Sequence, residues 1–469
     1  VYKRQGVYTV LHSFTSDIEG TSVNAAPVLV GSKLYGITED KGLYGGGSVW
    51  SYDLATNSFS IEAQLGYENG KNPLSGLVLN PVNNELNYSI EQTANGAKGG
   101  INSFDASSNS YNNVSNYSDN DIQTVINKPI YYNNKTFVIT QLASNAITTA
   151  VFGVAEIDIN TGDVIGTIIP IAPDADPTKL LNSIVSTNIV QEGSMLYGGT
   201  HGSLFSFDLA TMTSSTLHTF SSTKEGDASD GISMTGDMIY GFNTHGGTNS
   251  NGTIFSYNLT SNTFAILEET PSNSSYRGII SSGNYLFTVK LDSTVGYSIA
   301  SMDLTANAPV FSSVASIDST TIGFQPGPNL AEYNGVVYGI MNDGGTNNLG
   351  GIFKLETSTS TLSQVLNFDE TTGFYSFNTE LLITPAEDPQ GLNDNDGMGN
   401  IYVYPNPSSG IYTIAIEDIK EFSLYNNLGT LLFTKEGTSE VNLTNYSSGL
   451  YIIKVTTTKG EVTEKLIKE

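Results

Sequence analysis

Residues 238 to 264 read Met238-Ile239-Tyr240-Gly241-Phe242-Asn243-Thr244-His245-Gly246-Gly247, then Thr248-Asn249-Ser250-Asn251-Gly252-Thr253-Ile254-Phe255-Ser256-Tyr257-Asn258-Leu259, and close at Thr263-Phe264. Residues 336 to 362 repeat the plan as Val336-Val337-Tyr338-Gly339, Asp343-Gly344-Gly345-Thr346-Asn347, Gly350-Gly351-Ile352-Phe353-Lys354-Leu355 and Thr361-Leu362. A third copy runs Leu34-Tyr35-Gly36, Gly45-Gly46-Gly47, Ser48-Val49-Trp50-Ser51-Tyr52-Asp53-Leu54 and Phe59. A fourth, Leu196-Tyr197-Gly198 to Phe205-Ser206-Phe207-Asp208-Leu209, shortens the glycine loop. Each copy has two short apolar runs of strand length on either side of a glycine-rich reversal, where positive φ angles suit a residue without a Cβ.

Working outward, weaker copies fill the gaps at Leu86-Asn87-Tyr88-Ser89, Phe137-Val138-Ile139-Thr140 and Tyr285-Leu286-Phe287-Thr288. With Gly36, Ser89, Ile139, Gly198, Gly241, Thr288 and Gly339 as anchors, the steps are 53, 50, 59, 43, 47 and 51 residues. Seven anchors at that period predict an all-β fold, a β-propeller of about seven four-stranded blades over residues 6–385. A two-sheet sandwich array is the alternative. A further element recurs as Val10-Leu11-His12-Ser13-Phe14 with Glu19-Gly20, as Thr216-Leu217-His218-Thr219-Phe220 with Glu225-Gly226, and as Val365-Leu366-Asn367-Phe368. It is expected to lead each unit as its first strand. Its first and last copies are expected to complete one shared sheet and close the ring.

The clear copies resemble the GloVer tandem-repeat family of bacterial surface proteins, named for its glycine-rich pattern. That resemblance implies propellers, and it weakens in the second, third and sixth units.

Residues 401–469 have a different character. They open Tyr404-Pro405-Asn406-Pro407-Ser408-Ser409-Gly410, where the prolines forbid a helix or a central strand. Phe422 to Tyr425 and Leu431 to Phe433 flank an Asn-Asn-Leu-Gly break. Tyr451, Ile453 and Val455 alternate with Ile452 and Lys454, and Glu461 to Ile467 can return after the turn signal Thr458-Lys459-Gly460. A small β-sandwich follows from this pattern. The motifs Pro405-Asn406-Pro407, Gly410, Ser448-Gly449-Leu450-Tyr451 and Lys465-Leu466 resemble the type A C-terminal sorting domain of type IX secretion cargo. The resemblance implies the secretion machinery as a partner and export across the outer membrane, to the surface or the medium. It also marks Pro405, Asn406, Pro407, Gly410, Gly449, Tyr451 and Lys465 as sorting-motif residues.

Residues 386–400, rich in Gly, Asn and Asp, read as a linker, open to a protease once the chain is exported. The chain begins Val1-Tyr2-Lys3-Arg4-Gln5 without Met or an apolar signal core. Cargo of this class first crosses the inner membrane with a signal peptide. The native start is therefore expected to be missing, and residues 1–5 resemble a non-native leader.

Composition limits the chemistry. The formal net charge is −27; the six lysines and eight acids of residues 401–469 supply −2 of it, so −25 falls on residues 1–400. Such a surface repels nucleic acid and anionic lipid. No segment is long and apolar enough for a membrane-spanning helix. Cysteine is absent, which excludes disulfides, thiolate metal sites and thiol nucleophiles. There is no Gly-x-Ser-x-Gly elbow, zinc helix, phosphate loop or dinucleotide fingerprint. The Asn393-Asp394-Asn395-Asp396-Gly397 run lacks the alternation and closing Glu of a calcium loop, so no metal or other cofactor is expected.

His12 and His218 share one repeat position and read as structural. His201 and His245 lie in glycine turns of adjacent units, and Glu39, Asp40 and Asp343 occupy comparable turns, with Tyr44 as an aromatic able to stack on a sugar. These six form the candidate ligand face. The favoured function is non-catalytic recognition or scaffolding of an extracellular glycan or protein. The alternative is a carbohydrate-active hydrolase or lyase using the turn carboxylates with His201 or His245.

Overall fold

The computed structural model describes residues 2–4, 7–9, 11–14, 17–23, 25–66, 71–81, 83–92, 98–108, 110–116, 122–125, 128–142, 151–158, 164–171, 189–200, 202–221, 223–226, 229–307, 309–369, 381, 402–404, 410–415, 419–426, 431–444, 446, 449–457 and 461–468. The chain divides into two compact units, Val1–Pro385 and Ala386–Glu469. No helix long and apolar enough to cross a membrane occurs among the described residues.

In the first unit, a hairpin of Tyr2–Arg4 with Val7–Thr9 precedes seven antiparallel sheets, each built from consecutive strands. Blade 5 shows the pattern: Ser229–Thr235, Met238–Asn243, Thr253–Asn258 and Thr263–Glu269 pair in that order. All seven sequence anchors fall in the second strand of successive blades. Blades 2 and 3 have their first strand in two pieces, so that Lys71–Pro73 and Val78–Leu79 both pair with Leu86–Gln92. Near the axis the first strands of neighbouring blades meet. Ser233 and Ser281 share a hydroxyl hydrogen bond of 3.1 Å, and Ser282 donates to Glu332 at 3.1 Å.

Stacking of blades explains the burial pattern. The second and third strands of blade 5 are buried along nearly their whole length, whereas the fourth alternates toward solvent. Middle strands are covered on both faces by adjoining blades, so apolar residues need not alternate there. Apolar clusters join consecutive blades from 1 to 7; that between blades 4 and 5 holds Tyr197, Phe220, Ile239, Phe255 and Tyr257. Tyr-Gly earns its place by cross-strand packing. Gly36, Gly198, Gly241 and Gly339 pair with Trp50, Phe205, Phe255 and Phe353 on the third strand. A Cβ on any of these glycines would stand 2.1–2.6 Å from an atom of that ring.

The Leu-His-Ser-Phe element corrects the expectation that it leads each unit. Leu217, His218 and Thr219 end the fourth strand of blade 4, and Val365 to Asn367 end that of blade 7. The first strand of blade 5 is Ser229–Thr235 instead. Nor do the terminal copies share a sheet. Asn367 already pairs with Gly351 inside blade 7, while Leu11 to Phe14 form no strand. Those N-terminal residues act through side chains: His12 stacks on Phe59 with centroids 3.4 Å apart, and Phe14 meets Trp50 edge-on at 5.5 Å.

The second unit is a sandwich. One sheet orders Tyr402–Tyr404, Ile411–Ala415 and Glu440–Asn442; the other orders Leu431–Glu436, Ile419–Asn426, Gly449–Thr457 and Glu461–Lys468. Tyr412, Ile414, Val441 and Leu443 from the first face Phe422, Leu424, Tyr451, Ile453 and Val455 from the second in one core.

Candidate functional site

In an antiparallel four-stranded blade, the turn between strands two and three lies at the same end as the connection arriving from the preceding blade. This end is the glycine-turn face. The two segments are welded together. In blade 5, Gly226 of the arriving connection sits at φ +94°, and a Cβ there would stand 1.9 Å from the His245 carbonyl oxygen. Asn243 Nδ2 and Thr253 Oγ1 donate to the Glu225 carbonyl at 2.7 and 2.5 Å. Blade 1 repeats the arrangement: Thr38 and Ser48 hydroxyls donate to the Glu19 carbonyl at 3.0 and 2.5 Å.

Side chains from the fourth strand hold the turn tip. Thr248 N–H donates to Glu269 at 2.9 Å, Thr346 N–H to Asn367 at 3.1 Å, and Leu43 N–H to Gln64 at 2.9 Å. The Thr248 hydroxyl, and after it the Thr248 N–H, keeps the Glu269 carboxyl below the ordinary glutamate range. Asn249 and Asn347 turn their amides inward, donating to the Thr270 and Phe368 carbonyls at 3.4 and 2.9 Å. Such satisfied turns are rigid platforms.

Aligning the turns by their closing glycines, Gly47, Gly252 and Gly350, makes Asp40, His245 and Asp343 equivalent. Asp40, His245 and Asp343 therefore hold one position in blades 1, 5 and 7, Glu39 and Tyr44 share the blade 1 turn with Asp40, and blade 6 stands between His245 and Asp343. His245 is exposed, with Nδ1 3.0 Å from Thr244 Oγ1. Asp40 is exposed and lies 3.5 Å from the Ser22 hydroxyl; Glu39 and Asp343 are half-buried. Tyr44 is 63% exposed. His201 lies outside the described residues, as do Pro405, Asn406 and Pro407. Among the described residues, no group of three or more His, Asp or Glu side chains is arranged to hold a metal ion.

The structural histidines lie at the edge of this face. His218 Nε2 is 3.1 Å from Glu225, which also accepts the Ser221 N–H at 2.7 Å, and its ring lies on Phe264 at 3.8 Å. His12, Glu19 and Phe59 reproduce the set, with His12 Nε2 3.1 Å from the Glu19 carboxyl. Position-by-position alignment of the turns would also have exposed Leu43 and Ile18, both 58% exposed, where blade 5 carries Thr248 and Lys224.

In the sorting unit, Tyr451 is buried in the sandwich core, and Gly410 holds φ +133° with room only for hydrogen beside the Thr444 backbone. Lys465 pairs with Ile452 on the final strand, and Gly449 pairs with Lys468.

No curated protein matches the sequence. Among solved structures, a puromycin-hydrolysing peptidase of Mycobacterium tuberculosis is similar at 9% identity and a TM-score of 0.45, over 83% of this chain and 58% of the peptidase. The chain thus spans little more than half of that protein. A putative 6-phosphogluconolactonase of Bacteroides fragilis is similar at 12% identity and a TM-score of 0.43, over 74% of this chain and 98% of that one. PorZ, a surface component of the type IX secretion system of Porphyromonas gingivalis, is similar at 12% identity and a TM-score of 0.32, over 94% of this chain and 74% of PorZ. The family described as the Gloeobacter/Verrucomicrobia repeat matches residues 182–403, and the secretion system C-terminal sorting domain matches residues 402–469. The repeat match takes in blades 4 to 7 and leaves out blades 1 to 3. The chain is a secreted protein in which a propeller carrying Gloeobacter/Verrucomicrobia repeats is followed by the sorting domain of type IX secretion cargo.

Proposed function

We propose that the propeller is a non-catalytic recognition or scaffold module for an extracellular glycan or protein, displayed outside the outer membrane by its sorting domain. One observation carries this reading. The turns of the glycine face are pinned by side-chain-to-backbone bonds, yet His245 and the carboxylates Glu39, Asp40 and Asp343 come from three separate blades. A binding surface needs a rigid, varied platform, whereas acid–base chemistry needs its groups within hydrogen-bond reach of one reacting atom. The linker at 386–400 is the segment where proteolysis would part propeller from sorting domain.

The test is a screen of the full chain against arrayed extracellular glycans and surface proteins, with product release assayed on the same samples. Saturable binding with the ligand recovered intact is expected. Release of cleaved or unsaturated sugar, lost in His245→Ala, would establish the hydrolase or lyase reading instead.

A further inference from the structure

Ten large apolar side chains are conspicuously exposed among the described residues, and three of them, Ile18, Leu43 and Tyr44, belong to one pair of loops on blade 1. Gln64 joins those loops: its Oε1 accepts the Leu43 N–H at 2.9 Å, and its Nε2 donates to the Ile18 carbonyl at 2.6 Å. The apolar residues are therefore held together on a fixed frame.

The repeat shows that the frame does not require them. At the Leu43 position blades 5 and 7 carry Thr248 and Thr346, at the Tyr44 position Asn249 and Asn347, and at the Ile18 position blade 5 carries Lys224. The two asparagines bond inward to the Thr270 and Phe368 carbonyls, whereas Tyr44 projects outward. At three places on one surface blade 1 carries exposed apolar side chains where other blades carry polar ones, of which Asn249 and Asn347 bond inward. An apolar cluster on a secreted, acidic protein is a binding feature when it is rigid and locally concentrated.

The chemistry around the cluster selects the occupant. Asp17, Glu39 and Asp40 stand on the same loops, against Lys41 and the neighbouring Lys71, while Glu19 is held by His12. Two aliphatic side chains offer nothing to sugar hydroxyls, and a second copy of a chain with net charge −27 is electrostatically disfavoured. Resting on the recognition reading above, we infer that the blade 1 loops Asp17–Ser22 and Glu39–Gly47 dock a protein segment that combines apolar side chains with Lys or Arg. Apolar residues fill the surface over Leu43 and Tyr44, and the cations meet the carboxylate rim.

The probe is a phage-displayed library of short random peptides selected on the immobilised full chain. Its counterpart is the variant Ile18→Lys/Leu43→Thr/Tyr44→Asn, which gives blade 1 the side chains that blade 5 already accommodates. Selected peptides are expected to be rich in Lys or Arg beside apolar residues, to bind the natural chain at least about tenfold more tightly than the variant, and to weaken as salt rises. Peptides that do not discriminate between the two chains, or discriminating peptides without cations, overturn the inference. Self-association of the natural chain that the variant abolishes, seen by sedimentation, overturns it as well, as does a glycan whose binding depends on Tyr44. Should arrayed ligands bind the natural chain and the variant equally, the recognition reading stands while this docking site falls.

Discussion

Gly241 and Phe255 face each other across the middle of blade 5, and the ring lies so close that a Cβ on Gly241 would stand 2.4 Å from its Cζ. The same pairing recurs in blades 1, 4 and 7, with Trp50 or Phe as the aromatic. Gly241→Ala is therefore expected to destabilise the propeller by about 1–3 kcal/mol through overpacking. Phe255→Leu in the same chain should recover part of the loss, because it removes the ring that clashes. Chemical denaturation of the single and double variants reads both effects; equal stability of Gly241→Ala and the natural chain would show that the ring is free to move.

His218 contributes through its stack on Phe264 and its bond to Glu225, which in turn fixes Ser221 N–H at the start of the connection into blade 5. Phe264→Ala should cost about 1–3 kcal/mol, from lost aromatic area and the lost stacking contact. Phe264→Tyr, which keeps the ring, should cost far less. Thermal unfolding of the two variants provides the comparison, and similar losses in both would argue against stacking as the cause.

Asp208 ends the third strand of blade 4 and accepts the Ala210 N–H at 2.9 Å, a bond that holds its carboxyl below the ordinary aspartate range. Asp105 makes equivalent bonds to Ser107 and Ser108 and is held down to about 2, led by the Ser108 hydroxyl. A carboxyl with a depressed folded-state pKa supplies stability that is present above its unfolded value and lost as pH falls through the folded value. The propeller should therefore weaken as pH falls below about 4, with the Asp105 contribution fading last. Asn258 fills the same slot in blade 5, accepting the Ser261 N–H at 2.9 Å. Asp208→Asn should accordingly keep the turn and flatten the acid limb of the stability profile. An unchanged acid limb would mean that other carboxylates set it.

Tyr451, which the resemblance to type IX sorting domains marks as a motif residue, is buried in the sandwich core against Tyr446. Tyr451→Ala should cost the sorting domain about 3–5 kcal/mol, enough to unfold a domain of this size, and should leave cargo in the periplasm of a type IX-secreting host. Fractionation of cells expressing the full chain checks this. Undiminished export would separate sorting from the folded sandwich.

The repeat was legible because its anchors are steric. Gly opposite a ring at Gly36, Gly198, Gly241 and Gly339 fixes the second strand in sequence, and the turn residues Asp53, Asp208 and Asn258 mark the end of the third. The strand to which Leu-His-Ser-Phe belongs was not legible. A bulge in the fourth strand hides it: Leu204 pairs with His218 but Phe205 with Thr216, so Leu217 is extra. The same slip recurs at Ile254/Phe255 and Ile352/Phe353, and no turn signal announces it. The candidate face was legible as a set of turns, since glycine spacing locates them. Its internal order was not, because the equivalence of Asp40, His245 and Asp343 depends on the registers around Gly47, Gly252 and Gly350. The apolar departure at Ile18, Leu43 and Tyr44 becomes visible only once that equivalence is known.

The most direct test of recognition at the glycine-turn face is hydrogen exchange of the full chain, alone and with a glycan or protein that it retains from the array. Protection is predicted within residues 17–22, 39–47, 244–252 or 344–350, with the ligand recovered unaltered. Protection confined to the opposite turns, at 54–57, 210–212 and 260–262, or recovery of a cleaved ligand, would contradict the account.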